Sequence, residues 1–403
     1  MTGMQALPPA DFFGYESLLT DQEAAKLAQL RTFLAEEVAP YSTQWWNDAE
    51  FPAHILPKIA ALNLAAPDRL QFSHLFTGLV IAEMTRADTS LATFFLVHHD
   101  LFVQALIDFG SEEQKARLLP DAIALRTTGA FALTEPDHGS DVSGGMETTA
   151  RKVEDDAGTH WVLNGTKRWI GNGTFCNHML LWAKDADTGE VRGFILDGSL
   201  PGVERTKIEH KIALRTVQNA HITLDNVRVE ERDRFSGVGS FSDTNKMLRG
   251  SRISVAWQAV GQQLAAFDVA RAYAVERQQF GKPLASFQLI QGQLVKMLGN
   301  ATASLAMMVR IAALQDGGDA GAAGGFLSDA TMAQVALAKA HTTAAMRETV
   351  AMGRSILGGN GIVTDYRMAK IFADAEAIYT YEGSHEINTL IAGRAITGVS
   401  AIV

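Results

Sequence analysis

The amino-acid sequence predicts a mainly α-helical protein with a β domain in its middle. Apolar residues recur every three or four positions from about residue 20 to 127 and again from about residue 243 to 403, which is the helical period. Between about residues 129 and 235 they alternate with polar residues, which is the period of a strand. We therefore expect an N-terminal helical domain at residues 1–128, a β-barrel-like domain at 129–236 and a C-terminal four-helix bundle at 237–403.

Three stretches predict the N-terminal helices. The first, DQEAAKLAQLRTFLAEEV, starts at Thr20 and Asp21 and places Gln22 and Glu23 in its first turn. The second is FSHLFTGLVIAEMTRA. The third, LATFFLVHHDLFVQALIDFG, is apolar on nearly all sides, so we expect a helix that is buried on most faces and ends at Gly110.

The middle region contains the strongest short hairpin signal. Asn164-Gly165 divides the alternating stretch HWVLNGTKRWI, which predicts a hairpin that turns at these two residues. Further strands are predicted for HMLLWAK, VRGFILD and NAHITLDNVRV.

Three long helical patterns follow. The first runs through ERQQF, and we expect it to end at Phe280-Gly281 because Pro283 blocks continuation. A second helix is expected after Ser286, and the glycine-rich stretch GGDAGAAGG predicts a surface loop between the second and third helices.

Composition excludes several classes of protein. The net charge of −10 argues against a nucleic-acid partner, and the single cysteine, Cys176, excludes an internal disulfide framework and a cysteine metal cluster.

His98 and His99 are adjacent and point to different helix faces, so we expect no metal site there. No strand–GxGxxG–helix unit supports a nicotinamide site. We find no secretory signal and no segment that approaches about 20 apolar residues, so a cytoplasmic protein without a membrane span is expected.

Five motifs have both a structural and a functional interpretation. FALTEPDHGSD is a strand followed by a turn, and Thr134, Gly139 and Ser140 in it suit hydrogen bonds to a planar heterocycle. In WIGN, Trp169 is either a core residue or a side chain that packs against a flavin ring.

The other three motifs lie in the C-terminal region. ERQQFGKPLASFQLIQ joins two helices and also places Arg277 where it suits a pyrophosphate. LGGNGI is a helix stop whose backbone N–H groups suit a phosphate or adenine. In YEGSHEIN, Gly383-Ser384 starts the last helix, and Glu382 is either a solvated acid or a general base whose charged form is disfavoured by apolar neighbours.

The order of these motifs resembles the acyl-CoA dehydrogenase family over essentially the whole chain. The matching pieces are FALTEPDHGSD, NGTKRWIGN, RISVAW, ERQQFGKPLASFQ, LGGNGI and YEGSHEINTLIAGRAITG. The last piece is most similar to glutaryl-CoA dehydrogenase. KIALRTVQNAHITLDNV and the stretch from VAWQAVGQQ to PLASFQL resemble the plant peroxisomal short-chain acyl-CoA oxidases.

The resemblance implies a fold of helices, a middle β domain and a helical bundle, in a homotetramer that binds FAD. FAD would lie between the β domain and the bundle, with its ADP part reaching a neighbouring subunit. The implied cofactor contacts are Phe131, Leu133, Thr134, Gly139, Ser140, Trp169, Gly171, Arg277, Gln279, Phe280, Leu284, Gln288, Gly359, Ser384 and Glu386. The implied substrate contacts are Ser140, Arg252, Tyr381, Gly383 and, at the far end of the acyl pocket, Ala92.

The resemblance also implies a mechanism. Glu382 would take the α-proton of an acyl-CoA thioester while the β-hydride passes to the flavin. The backbone N–H of Glu382 and a flavin ribityl hydroxyl would bind the thioester carbonyl. The product is a trans-2-enoyl-CoA, and an electron-transfer flavoprotein is the expected acceptor, in fatty acid or amino acid catabolism.

Two departures from the family pattern bear on the substrate and the acceptor. Glutaryl-CoA dehydrogenases carry an arginine at the position of Ala92, so we expect a short, uncharged acyl chain, with Phe94 and Phe95 as core residues or as the end of the pocket. Many family members carry threonine where Gly171 stands, whereas the oxidases carry glycine. Glutaryl-CoA dehydrogenase and an oxidase that uses O2 remain alternatives. A non-catalytic CoA-binding sensor is a third alternative, which the presence of Glu382 argues against.

Overall fold

The computed structural model describes residues 9–65, 72–156, 158–317 and 329–401. The chain divides into two units, each built from separate stretches. A helical unit contains Met1–Asn47, Gln71–Thr89 and Ile253–Val403, and a sheet unit contains Asp48–Leu70 and Ser90–Arg252. The described helices are α1 (Asp21–Phe33), α2 (Ser42–Asp48), α3 (Leu56–Ala61), α4 (His74–Ala87), α5 (Thr89–His98), α6 (Gln104–Phe109), α7 (Glu112–Ile123), α8 (Val142–Gly145), α9 (Phe241–Glu276), α10 (Gln288–Gln315), α11 (Asp329–Ile356), α12 (Met368–Thr380) and α13 (His385–Thr397).

The three predicted N-terminal helices are confirmed. α1 begins with a capping box, in which the Thr20 hydroxyl accepts from the Glu23 N–H at 3.3 Å and the Glu23 carboxylate accepts from the Thr20 N–H at 2.9 Å. The third helix contains one π-helical turn, His99–Val103, between α5 and α6, and it ends at Gly110. It is buried along most of its length because apolar side chains cover nearly all of its surface.

Among the described residues, two helices are long and apolar enough to cross a membrane by length and composition, contrary to the expectation that no segment approaches that length. They are Thr89–Phe109, with 78% of its most apolar window buried, and Gln288–Gln315, with 39% buried. A buried core helix passes the same test, so two such helices are weak evidence for a membrane.

The sheet unit contains a seven-stranded sheet among the described residues, in the order β1-β4-β2-β3-β7-β6, with β5 paired to β4. The strands are β1 (Gly129–Ala132), β2 (Thr149–Asp155), β3 (Gly158–Ile170), β4 (His178–Asp185), β5 (Val191–Asp197), β6 (Val203–Lys207) and β7 (Ala220–Glu230). β4 runs parallel to β1 and β2, and the other pairings are antiparallel. The three strands predicted after the hairpin are confirmed as β4, β5 and β7.

The sheet is buried on both faces at β4. Leu180 and Trp182 belong to one apolar cluster, and Leu181 and Ala183 belong to another, as the alternation of side chains along a strand requires. The turn after β1 and the turn after β3 are therefore held by a rigid, well-packed sheet.

The predicted hairpin at Asn164-Gly165 is wrong. β3 continues through both residues and pairs with β2 on one side and β7 on the other, with a register shift between Leu163 and Gly165. Across this shift β3 advances two residues while β7 advances three, so it is a β-bulge in β7 and not a chain reversal. Gly165 opposite it adopts φ 145, a conformation that glycine tolerates. The backbone of β3 is hydrogen-bonded to β2 along one edge and to β7 along the other. A chain reversal at Asn164 would be incompatible with this pairing.

The C-terminal helices are confirmed, but the end of the first one is corrected. α9 ends at Glu276, before Phe280-Gly281. The next residues form a two-stranded hairpin of β8 (Gln278–Gln279) and β9 (Lys282–Pro283). Phe280 and Gly281 both have positive φ, which is the geometry of a two-residue hairpin turn. α10 begins at Gln288, after Ser286 as predicted, and residues 318–325 of the predicted GGDAGAAGG loop lie outside the described residues.

Candidate active site

The segment from Tyr381 to Gly383 connects α12 to α13 and holds the predicted base. Tyr381 caps the end of α12 in an extended conformation, whereas Glu382 has φ 58 and Gly383 has φ 75. A left-handed conformation is unfavourable for glutamate, by about 1 kcal/mol, so the surrounding structure must hold it. The Glu382 side chain is half-buried.

Three buried polar side chains of the helical unit bind this segment. Lys339 on α11 donates to the carbonyls of Tyr381, at 2.7 Å, and Gly383. Asn388 on α13 donates to the Gly383 carbonyl at 2.8 Å, and Gln258 on α9 accepts from the Tyr381 hydroxyl. None of the three was predicted as a site residue. A lysine inside the apolar stretch VALAKAHTTAA is the one signal that the sequence offers.

Ser384 and Glu386 lie at the start of α13, as predicted. The Ser384 hydroxyl accepts from the Ile387 N–H at 3.3 Å and caps the helix. The pKa of the Glu386 carboxyl is lowered by a hydrogen bond from its own backbone N–H and by the Ser384 hydroxyl. These contacts establish the capping role, while contact of either residue with FAD stays a prediction.

The sheet unit presents the turn that follows β1. Phe131 packs against Trp182 with ring centroids 4.2 Å apart, and Leu133 is buried in the same apolar cluster. Thr134 is half-buried, and its carbonyl accepts from the Arg168 N–H at 2.8 Å. Gly139 and Ser140 are exposed, and an added Cβ on Gly139 would meet no atom within 4 Å.

The Arg168–Thr134 hydrogen bond joins this turn to the WIGN motif. Trp169 has φ 64 and leaves 52% of its surface exposed, and the Arg168 guanidinium lies 5.1 Å from the centre of its ring. Asn172 is buried and donates to the Gly129 carbonyl at 3.2 Å, which fixes the turn against β1. The interpretation of Trp169 as a core residue is therefore wrong, because half of the ring faces solvent.

A buried ion pair beneath the turn was missed. Lys167 is fully buried and donates to the Glu135 carboxylate at 2.8 Å and to the Leu133 carbonyl at 3.1 Å. Burial alone would raise the pKa of Glu135, but Lys167, the Thr148 side chain and the Glu147 N–H hold it below its ordinary range. The alternation along β3 places Lys167 on the inward face beside Leu163, which is the signal that could have revealed it.

The residues predicted for the ADP part lie on the surface of the helical unit. Arg277, Gln279, Phe280 and Gln288 are exposed, and Phe280 exposes 92% of its surface at the tip of the β8–β9 hairpin. Leu284 is half-buried behind the hairpin.

Gly359 lies in a 3-10 turn, Gly358–Ile362, which a hydrogen bond links to the C-terminal end of α9. Asn360 in this turn donates to the Tyr273 hydroxyl at 2.9 Å, one helical turn before Arg277. An added Cβ on Gly359 would meet no atom within 4 Å. The structure thus brings the LGGNGI and ERQQFG motifs together within one unit.

Two predicted substrate contacts are buried. Ala92 lies in α5 with 1% of its surface exposed, and Arg252 lies in α9 with 7% exposed. Phe94 is buried and packs against Phe51 at 4.6 Å between ring centroids, while its place at the end of the pocket stays a prediction. Contact of Ala92 or Arg252 with a substrate stays a prediction.

His98 is structural. Its Nδ1 accepts from the Gly129 N–H at 2.9 Å and its Nε2 lies 2.9 Å from the Ala122 carbonyl, so it is a neutral ring that donates from Nε2. Among the described residues no group of three or more potential ligands could hold a metal ion.

Comparisons with known proteins match all three parts of the chain. Residues 20–126, 130–227 and 241–397 match the N-terminal, middle and C-terminal domains of acyl-CoA dehydrogenase. The boundaries at residues 128 and 236 stay predictions, since a match to a domain model need not end where the domain does.

Individual relatives agree with these matches. The mouse mitochondrial short-chain specific acyl-CoA dehydrogenase is 30% identical over 388 residues, which cover 94% of this chain and 90% of the relative. The structure of glutaryl-CoA dehydrogenase from Mycobacterium smegmatis superposes with a TM-score of 0.90 at 30% identity, over 98% of this chain and 100% of that one.

Two further structures extend this agreement. A glutaryl-CoA dehydrogenase from the same organism, in complex with FADH2, has a TM-score of 0.90 at 28% identity over 98% of this chain and 100% of that one. Butyryl-CoA dehydrogenase from Megasphaera elsdenii has a TM-score of 0.85 at 27% identity, over 94% of this chain and 98% of that one. These matches along the whole chain establish that it belongs to the acyl-CoA dehydrogenase family, which comprises oxidoreductases that act on CH–CH bonds.

Proposed function

We propose that this chain is an FAD-dependent dehydrogenase of a short, uncharged acyl-CoA thioester, and that Glu382 removes the α-proton. The observation that carries the proposal is the left-handed Glu382, held between two bound carbonyls at the end of an apolar helix. A glutamate whose backbone is held in this way can present its carboxylate to the α-proton of a substrate that approaches the segment.

The residues on the surface of each unit suit FAD. A half-exposed indole, a half-buried threonine and an exposed Gly-Ser turn suit the ring, and the exposed Arg277 suits the pyrophosphate. Bound FAD supplies an acceptor for the hydride that leaves the β-carbon. The chain itself binds the thioester, orients its α-carbon and takes the proton on a Glu382 carboxylate oxygen, and a trans-2-enoyl-CoA leaves.

Anaerobic titration of the purified flavoprotein with butyryl-CoA tests the proposal. We expect butyryl-CoA to bleach the flavin absorbance, and we expect Glu382→Gln to keep FAD and to bind butyryl-CoA without bleaching. Glu376→Gln is the matched control, because Glu376 is paired with Arg347 at 2.9 Å on the exposed side of α12. Full bleaching by Glu382→Gln would refute the base assignment.

Glutaryl-CoA is the second candidate substrate, favoured by the likeness to the glutaryl-CoA dehydrogenase of M. smegmatis. Its oxidative decarboxylation would give crotonyl-CoA. Ala92 provides no cation for the distal carboxylate, so we expect no bleaching by glutaryl-CoA. Bleaching with release of carbon dioxide would overturn the preference for an uncharged chain.

We propose an electron-transfer flavoprotein as the acceptor. A relative from Acetobacterium woodii, 31% identical over 86% of this chain and 90% of its own, is named as subunit CarC of a caffeyl-CoA reductase–Etf complex. An oxidase that uses O2 is the alternative, favoured by Gly171. Oxygen consumption during turnover with butyryl-CoA distinguishes the two acceptors.

A homotetramer is also proposed. The exposed apolar residues Phe280, Leu289 and Val295 of the helical unit suit burial against further copies of the chain. Light scattering after size-exclusion chromatography should give four times the mass of one chain, and a monomer would refute it.

A further inference from the structure

Lys339 is a buried cation without an assigned role, and its bonds converge on the segment that holds Glu382. Its side chain is fully buried in α11, and its ammonium donates to the carbonyls of Tyr381, at 2.7 Å, and Gly383. Burying a lysine is unfavourable unless its donors are satisfied, so this pair of carbonyls is a specific arrangement. The two carbonyls belong to the residues immediately before and after Glu382.

The ammonium fixes the direction of two peptide groups. Each peptide bond of the segment is trans, since none of the described residues has a cis peptide bond, and the N–H of a trans peptide points opposite to its C=O. The Tyr381 carbonyl points toward Lys339, so the N–H of Glu382, which shares that peptide, points away from it. The Gly383 carbonyl in turn directs the Ser384 N–H away from the ammonium.

The same bonds hold the unfavourable backbone of Glu382. Two carbonyls on either side of one residue reach a single ammonium only if the chain curls between them, as φ 58 at Glu382 and φ 75 at Gly383 allow. Asn388 holds the Gly383 carbonyl from α13, and Gln258 holds the Tyr381 hydroxyl from α9. A donated bond at a carbonyl also polarises the peptide and strengthens its N–H as a donor.

We propose that Lys339 is a positioning residue for α-proton removal. It aims the Glu382 N–H at the thioester carbonyl and holds the Glu382 carboxylate at the α-carbon. The inference rests on the proposed function. In the step itself the Cα–H bond breaks, the proton moves to a Glu382 oxygen, and the electron pair moves into the thioester as an enolate whose oxygen accepts from the Glu382 N–H.

Exchange of α-protons with D2O isolates this step. The probe is a 3-thia-acyl-CoA, in which sulfur replaces the β-carbon so that no β-hydride is available, and the exchange is followed by NMR on the flavin-loaded enzyme. Lys339→Met removes the donors and keeps the length of the side chain. We expect it to slow exchange about 100-fold while affinity for the probe changes much less, because misplacement of a reacting group affects the transition state most.

Two further variants separate positioning from folding. Lys339→Gln keeps an amide donor and should recover part of the exchange rate. Lys370→Gln alters another buried lysine of the helical unit, which binds Asp88 at 3.0 Å, and should lower the unfolding temperature without slowing exchange in the folded enzyme.

Three outcomes would contradict either the role of Lys339 or the assignment of Glu382 as the base. Exchange at the wild-type rate in folded Lys339→Met, or in folded Lys339→Leu if the methionine variant does not fold, overturns the role of Lys339, because neither side chain carries a donor. Equal slowing by Lys370→Gln also overturns it, because the effect would then be general. Exchange at the wild-type rate in Glu382→Gln would instead refute the proposed base, so the two failures are distinguishable.

Discussion

Gly171 faces Val97 so closely that a Cβ on Gly171 would lie 3.2 Å from Cγ2 of Val97. The valine side chain thus occupies part of the space that a threonine at position 171 would need. We expect Gly171→Thr alone to lower stability by about 1–3 kcal/mol, and Val97→Ala in the same chain to recover most of the loss. Urea unfolding of the two single variants and the double variant measures the coupling. Additive effects would show that the two side chains do not compete.

The same pair bears on the reaction with oxygen. If the missing side chain at Gly171 admits O2, the folded Gly171→Thr/Val97→Ala variant should be reoxidised by air more slowly than the wild-type enzyme. Stopped-flow reoxidation after anaerobic reduction measures this rate. Equal reoxidation rates would refute a role for Gly171 in oxygen access.

His98 should make the protein sensitive to mild acid. Burial lowers the pKa of His98 to about 4, from an ordinary value of 6.5, although the Ala122 carbonyl opposes the shift. The unfolded chain therefore binds a proton at His98 below about pH 6.5, whereas the folded chain binds it only below about pH 4. The stability is fully present above that window and falls by about 1.4 kcal/mol per pH unit as the pH decreases through it. His98→Gln should flatten this part of the curve in urea unfolding at several pH values, and an unchanged slope would exclude His98 as its source.

Removing only the cation of the buried Lys167–Glu135 pair should destabilise the fold more than removing both charges. Lys167→Met leaves the Glu135 carboxylate buried without its cation, which we expect to lower the free energy of unfolding by about 3–5 kcal/mol. The double variant Lys167→Met/Glu135→Gln removes the isolated charge and should be more stable than Lys167→Met alone. Urea unfolding tests this order, and a double variant that is less stable would contradict it.

The backbone of β3 beside the bulge should not accommodate a side chain at Gly165. An added Cβ there would lie 2.7 Å from the Cα of Thr148, and φ 145 is unfavourable for alanine. We expect Gly165→Ala to lower stability by more than about 1 kcal/mol, whereas Gly144→Ala, where no atom lies within 4 Å, should change it little. Thermal unfolding of the two variants provides the comparison.

The sequence predicted the helices and most strands because their apolar residues follow a regular period. It failed at Asn164-Gly165, where a local turn signal was overruled by the pairing of β3 with two distant strands. The predicted helix end at Phe280-Gly281 was also wrong, because the apolar period of α9 does not show that the chain leaves the helix at Glu276 and forms the β8–β9 hairpin. Glu382 could be predicted as the base because it stands in a motif, whereas Lys339 lies 43 positions earlier and contacts the segment around Glu382 only in the folded chain. Contacts between distant positions leave no local pattern.

The division of the helical unit into separate stretches has a consequence for the order of synthesis. α4 packs against α10, although the whole stretch Ser90–Arg252 of the sheet unit lies between them in the chain. On the ribosome the sheet unit therefore has all of its residues before the helical unit does, and α4 lacks its partner helix α10 until the C-terminal part of the chain emerges. We expect chains truncated after Arg252 to keep a folded sheet but to expose the face of α4 that meets α10 to chaperones and proteases.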